Sequence, residues 1–201
     1  MREIINACLE AEAKAILNIP VNDSYEKATA LFYDHVHQKG GKLVVSGMGK
    51  AGQIADNIAT TFSSTGSPAV YLHPSNAQHG DLGVLGKNDV LLLISNSGKT
   101  REILELVDLA HNLHDQVPIV VITSNMKSSL ARIADITITT GNPPEVCPLG
   151  LTPTTSTTTM TVIGDILVVL LMKKINFTSA DYSKRHHGGY LGTKSRKAAK
   201  K

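Results

Sequence analysis

The stretches Asp89–Ser95 and Pro118–Thr123 are almost wholly Val, Ile and Leu, with no alternation of apolar and polar residues. A strand with one wet face alternates; a strand that does not must be covered on both faces, which is the habit of a parallel sheet. Three further β-type runs, Lys42–Ser46, Ala69–Leu72 and Asp135–Thr139, have the same short length. Helical patterns lie between them, notably Ala51–Ser64 and Thr100–Leu113, in which Ile103, Leu106, Val107, Ala110 and Leu113 form one stripe. Two more helical patterns precede the first strand: Ile4–Leu17, and Tyr25–His37 after a cap at Asn22-Asp23-Ser24. Strand alternating with helix predicts an α/β fold, a three-layer αβα sandwich around a five-stranded, doubly wound parallel sheet.

With 201 residues, 42% of them hydrophobic, the chain can build one domain with its own core. Three Phe and no Trp make that core aliphatic. Cys8 and Cys147 are too few for a disulfide framework and suit a reducing compartment. The start at Met1-Arg2-Glu3 lacks the apolar segment of a secretion signal. The longest apolar run, Val162–Met172, is interrupted by Gly164-Asp165 and is short for a bilayer span. The expectation is a cytoplasmic protein with no membrane partner. The net charge of +3 belongs to the end of the chain, where Lys194, Arg196, Lys197, Lys200 and Lys201 cluster. Without interleaved aromatics, that cluster reads as a basic, disordered tail over 193–201 rather than a nucleic-acid contact, leaving 1–192 as the single domain. The prolines and glycines of Gly141–Gly150 form a loop, and the Thr-rich stretch Thr152–Thr161 starts a helix running to Lys174, its hydroxyls capping backbone groups.

Two turns carry the chemistry, each directly after a strand. Gly47-Met48-Gly49-Lys50-Ala51-Gly52 has the glycine spacing of a dinucleotide site. That site also needs an acidic residue about 20 positions on to hold a ribose. Here the second strand ends in His73-Pro74, and no redox cofactor is expected. Gly98-Lys99-Thr100 has the end of a triphosphate loop, but Leu93 stands where such a loop needs its first glycine. What remains is Ser95-Asn96-Ser97-Gly98-Lys99-Thr100: three hydroxyls, backbone N–H groups and a helix start, fitted to one terminal phosphate. Gly47 and Gly49 shape the neighbouring turn, and Lys50 can reach the phosphate or polarise a carbonyl. His79 and His186 lie beside glycines, outside helix interiors, where an imidazole can exchange protons near neutral pH. Glu102, in the first turn after the phosphate loop, and Glu145, in the Pro/Gly loop, are the nearby acids. With no His-x-x-x-His or tight Cys/His pair, no metal is required.

Val44-Val45-Ser46-Gly47-Met48-Gly49-Lys50, His73-Pro74 through His79-Gly80-Asp81-Leu82-Gly83, and Ile94-Ser95-Asn96-Ser97-Gly98 resemble the sugar isomerase (SIS) domain. Glu145-Val146-Cys147-Pro148-Leu149-Gly150-Leu151-Thr152-Pro153-Thr154 and His186-His187-Gly188-Gly189-Tyr190-Leu191-Gly192 narrow the resemblance to its arabinose 5-phosphate isomerase family. The resemblance runs from about residue 3 to 192 and implies a flavodoxin-like sheet. It implies interconversion of D-ribulose 5-phosphate and D-arabinose 5-phosphate through an enediol, without a cofactor, as the first step toward Kdo and lipopolysaccharide. By the same resemblance Lys50, His79, Glu102, Glu145 and His186 are the catalytic set, with proton transfer open between the two acids. Ala51 stands where the family usually carries Ser, and His187 where it carries Pro. A homotetramer with shared sites is also implied. Most members continue into a paired CBS module; this sequence resembles the form without one. Feedback by a downstream Kdo nucleotide sugar would then act at the isomerase site or a subunit interface. Two other readings fit the same motifs: a SIS isomerase for a different phosphosugar, and a non-catalytic sugar-phosphate sensor.

Overall fold

In the computed structural model, which describes residues 1–199, the two apolar runs form β3 (Val90–Ile94) and β4 (Ile119–Thr123), buried at every position. With β1 (Leu43–Gly47), β2 (Ala69–Tyr71) and β5 (Ile136–Thr139) they make one sheet of order β2-β1-β3-β4-β5, parallel throughout. The chain winds outward from β1 to β2, then crosses back to β3 on the other side of β1. The register pairs Gly47 with Ile94, so both strands end level. Winding therefore reverses at a crevice beyond the carboxyl ends of β1 and β3, the usual ligand position in such sheets.

Successive side chains feed two layers. Leu43, Val45, Leu92 and Ile94 pack with Phe32, Phe62 and Leu167. These belong to α2 (Ser24–Phe32), α3 (Lys50–Ser64) and α7 (Thr155–Lys174). Val44, Leu91, Leu93 and Val121 pack on the other face with Ile103 and Leu106 of α5 (Arg101–Leu113). Each such fully buried side chain contributes about 1.5–3 kcal/mol. The αβα sandwich predicted from the strand runs is thus present. α5 buries Ile103, Leu106, Val107 and Ala110 as its stripe requires, but Leu113 is 46% exposed because the helix ends there.

The remaining elements refine the expectations. α1 spans Arg2–Leu17. α2 passes directly into a π-helical turn, Tyr33–Gln38, where one continuous helix was expected. Its cap differs too: Asp23 makes no side-chain cap, and Asn22 Oδ1 accepts from the Ser24 amide at 2.9 Å. α4 (Pro74–Ala77) and a 3₁₀ turn (Asp81–Val84) follow β2, and α6 (Ser129–Ile133) lies between β4 and β5. α7 is twenty residues long and, by length and composition alone, long and apolar enough to cross a membrane, which the Val162–Met172 run did not suggest. It buries Ile163, Gly164, Leu167 and Leu171 in the core; a Cβ on Gly164 would stand 2.4 Å from Ile58 Cδ1, so this glycine sets how closely α3 and α7 approach.

The chain closes with α8 (Ser179–Arg185) and α9 (Gly189–Ala198). The expected disordered tail is therefore corrected: residues 193–198 continue a helix. Gly192 makes that helix fit, because a Cβ there would meet the His186 carbonyl at 2.3 Å, and Arg196 Nη1 donates to the His187 carbonyl at 3.2 Å. Lys200 and Lys201, part of the same tail expectation, lie outside the described residues.

Candidate active site

The turn after β3 is held from below by its own backbone. Ser95, 2% exposed, accepts from the Gly98 amide at 3.1 Å, and its Oγ lies 2.8 Å from Thr100 Oγ1. Gly98 adopts φ +62°, and a Cβ there would stand 2.0 Å from Ser128 Oγ, so only glycine lets the turn lie against α6. The Asn96 carbonyl accepts from the Ser124 amide at 3.1 Å, Thr123 Oγ1 at 3.0 Å and Ser124 Oγ at 2.8 Å, which ties the turn to the end of β4. Because the Thr100 hydroxyl is engaged with Ser95, α5 starts without a side-chain cap. The amides of Ser97, Thr100, Arg101 and Glu102 have no partner among the described residues. They form a cluster of donors at a positive helix end.

The turn after β1 faces it. Gly49 takes φ +60°, and Gly47 and Gly52 approach so closely that a Cβ on Gly47 would lie 2.6 Å from the Ala51 carbonyl. α3 thereby begins at the sheet edge, with Lys50 as its exposed first residue. A cavity of about 300 Å³ lies between the turns, bordered by Met48, Lys50 and Ala51 on one side and by Ser95, Asn96, Ser97 and Thr100 on the other. The cavity thus places Lys50 opposite Ser95, Asn96, Ser97 and Thr100, whereas His79, Glu102, Glu145 and His186 are not among the residues that border it.

The sequence reading missed the third wall, made by Pro153, Ser156, Thr157 and Met160 at the start of α7. The Thr-rich stretch was the available signal. A hydroxyl of the stretch does hold the preceding loop, Thr155 Oγ1 accepting from the Val146 amide at 3.2 Å, but Thr154 at the helix start does not cap α7. Glu145 does so from across the loop, its Oε2 accepting from the Thr154 amide at 2.7 Å, Thr154 Oγ1 at 2.8 Å and the Ser156 amide at 3.2 Å. Burial alone would push this carboxyl up, but hydrogen bonds from Ser156 and Thr154 outweigh it and hold its pKa below the ordinary value. A depressed carboxyl stabilises the fold above its unfolded pKa and loses that contribution as pH falls through the folded value. We expect the melting-temperature gap between the protein and its Glu145→Gln variant to be constant from pH 7 to about 5 and to narrow below it. A gap that stays constant to pH 3 would refute the capping role.

Glu102 is half-buried in the first turn of α5 and has no hydrogen-bond partner among the described residues. His79 is exposed in the bend after α4, and the bond from Gln78 Nε2 to Glu105 Oε2, 2.7 Å, fastens that bend to α5. His186 lies elsewhere. It stacks on Tyr182 at 3.7 Å between centroids, and its Nδ1 donates to the Tyr182 carbonyl at 3.1 Å. Its neighbour Arg185 borders Ser63 and Ala69 near the amino end of β2, and His186 does not line the cavity. Cys147, half-buried in the loop before α7, is brought to a pKa of about 6 by hydrogen bonds from Thr152, then from the Leu151 and Leu149 amides. Among the described residues no cluster of His, Cys, Asp or Glu could hold a metal ion.

Residues 35–170 match the SIS domain family. The arabinose 5-phosphate isomerase KdsD of Yersinia pestis is 44% identical over 187 residues, covering 92% of this chain and 55% of the relative. KdsD of Escherichia coli K12 is 43% identical over 186 residues, with 92% and 55% covered. The chain spans about half the length of these curated relatives. A solved structure from Bacteroides fragilis NCTC 9343, described as a candidate phosphosugar isomerase involved in capsule formation, shares 66% identity with a TM-score of 0.93, over 94% of this chain and 99% of that one. The structure of an E. coli CFT073 protein in complex with arabinose 5-phosphate shares 35% identity with a TM-score of 0.82, over 92% and 96%. With the match to the family spanning both turns, all five strands and the start of α7, the chain belongs to the SIS domain family.

Proposed function

We propose that this protein is an aldose–ketose isomerase interconverting D-ribulose 5-phosphate and D-arabinose 5-phosphate, at the entry to Kdo and lipopolysaccharide synthesis. The observation that carries the reading is the cavity at the switch point, where free amides, Ser95, Ser97 and Thr100 face Lys50 across a space fitted to a small phosphorylated sugar. The neighbour solved with arabinose 5-phosphate supports it, because that protein has nearly the same extent as this chain.

In the proposed reaction the phosphate anchors the sugar, which holds C1 and C2 in place. Glu102 takes the C1 proton of the ketose, the electron pair forms the C1=C2 bond, and an acid protonates the carbonyl oxygen to give the enediol. Return of the proton to C2, with loss of the O1 proton, yields the aldose. Lys50 stabilises negative charge developing on the oxygens. His79 and His186 serve ring opening and proton exchange at oxygen. Since His186 does not line the cavity of its own chain, we propose a homotetramer, working in the cytoplasm, in which a neighbouring copy supplies it. Feedback by a Kdo nucleotide sugar would act at that shared site.

The test is incubation with D-ribulose 5-phosphate in D₂O, with the aldose identified and deuterium at C2 measured. Arabinose 5-phosphate labelled at C2 is expected. A different aldose would reassign the substrate, and no exchange at all would leave a sensor.

A further inference from the structure

Two helix starts, those of α5 and α7, border one cavity, but they offer opposite hydrogen-bonding character. The α5 side is rich in donors: the amides of Ser97, Thr100, Arg101 and Glu102 are unpartnered among the described residues, and Lys50 stands opposite. On the α7 side the Thr157 hydroxyl proton is already committed. Thr157 Oγ1 donates to the Thr154 carbonyl at 2.7 Å. Ser156 borders the cavity beside it, and its amide donates to Glu145 Oε2 at 3.2 Å. With its proton so used, the Thr157 hydroxyl can offer the cavity only lone pairs, and the Ser156 hydroxyl beside it can also accept. The carboxylate of Glu145 also occupies the Thr154 and Ser156 amides and offsets the positive end of α7.

A phosphate dianion has acceptors and negative charge, so it fits the α5 side and is repelled from the α7 side. A sugar carries hydroxyl protons to donate, so it fits the α7 side. We infer that the ligand lies in one direction across the cavity, phosphate on the Ser95–Thr100 turn and sugar hydroxyls on α7, with Ser156 and Thr157 as hydroxyl-accepting binding residues and Glu145 as the positioning residue behind them. This rests on the phosphosugar reading above and adds the residues that distinguish a sugar phosphate from a bare phosphate.

The experiment compares the affinity of inorganic phosphate with that of D-arabinose 5-phosphate by calorimetry, on the full chain. Ser156→Ala and Thr157→Val should each weaken the sugar phosphate roughly three- to tenfold, the range of one neutral hydrogen bond, and leave inorganic phosphate within twofold. Thr157→Ser, which keeps the hydroxyl, should restore the affinity. Ser95→Ala should weaken both ligands. Glu145→Gln gives a readout that a merely structural role would not move. Loss of its charge should tighten inorganic phosphate about twofold at low salt, an effect that fades as salt screens it, while the sugar phosphate weakens. Equal losses of both ligands in Ser156→Ala and Thr157→Val would overturn the direction, as would unchanged sugar affinity in both. If the affinities shift as expected but no ketose is converted, the direction stands and the isomerase reading falls.

Discussion

Gly98→Ala is expected to unfold the protein some 6–12 °C below its present midpoint and to abolish phosphate binding. Three costs add at this position. The backbone sits at φ +62°, where a Cβ costs roughly 1–2 kcal/mol. That Cβ would lie 2.0 Å from Ser128 Oγ and 2.5 Å from Ser128 Cβ, so rotating the hydroxyl away does not relieve the contact. Ser128 Oγ also caps α6 by accepting from the Ala131 amide at 3.2 Å, and displacing it forfeits a further ~1 kcal/mol. Together they come to about 3 kcal/mol. Gly150→Ala is the matched control: φ is +63° there, but nothing lies within 4 Å of the added carbon. It should cost only the backbone share. A Gly98→Ala protein that melts with the Gly150→Ala variant, and still binds phosphate, would show that the turn does not depend on this contact.

The contrast between Gly98 and Glu145 also explains what could be read from residues alone. The turn after β3 is local: strand, glycine and three hydroxyls are contiguous, and the unbroken apolar runs dictate a sheet that places this turn at its carboxyl edge. Hence the fold was legible, and so was the meeting of Lys50 with Ser95, Asn96, Ser97 and Thr100 around one cavity. Glu145 meets Thr154 and Ser156 across a loop, and no periodicity announces a carboxylate that caps a helix nine residues later. The third wall was hidden for the same reason: it exists only because that loop folds back over the cavity. His186 was recognisable as a reactive type, but its position beside Tyr182, away from the cavity lining, is set by how α8 and α9 dock. Those two helices pack against each other through Gly192, a contact that sequence spacing does not encode.

Glu102→Gln is expected to lower turnover by about a thousandfold, within the 10²–10⁴ range of a single acid–base group, with little change in substrate affinity. Neither acid borders the cavity directly; Glu145 has Oε2 occupied by three donors, so its removal should act through α7 and appear mainly in substrate affinity. Glu102 is half-buried in the first helical turn after Ser95–Thr100, and its side chain has no hydrogen-bond partner among the described residues, which leaves it free to exchange a proton with a substrate. Gln keeps the shape and removes only the basicity. An acid in the first helical turn contributes about 0.3–1 kcal/mol through the helix dipole, so the variant should fold almost normally. Inorganic phosphate should still compete at its original concentration, because Ser95 and the free amides are untouched. Solvent deuterium should no longer enter C2 of the sugar at a measurable rate. Turnover within threefold of the parent would move the proton-transfer role away from Glu102; turnover lost in step with phosphate affinity would make it a binding residue instead.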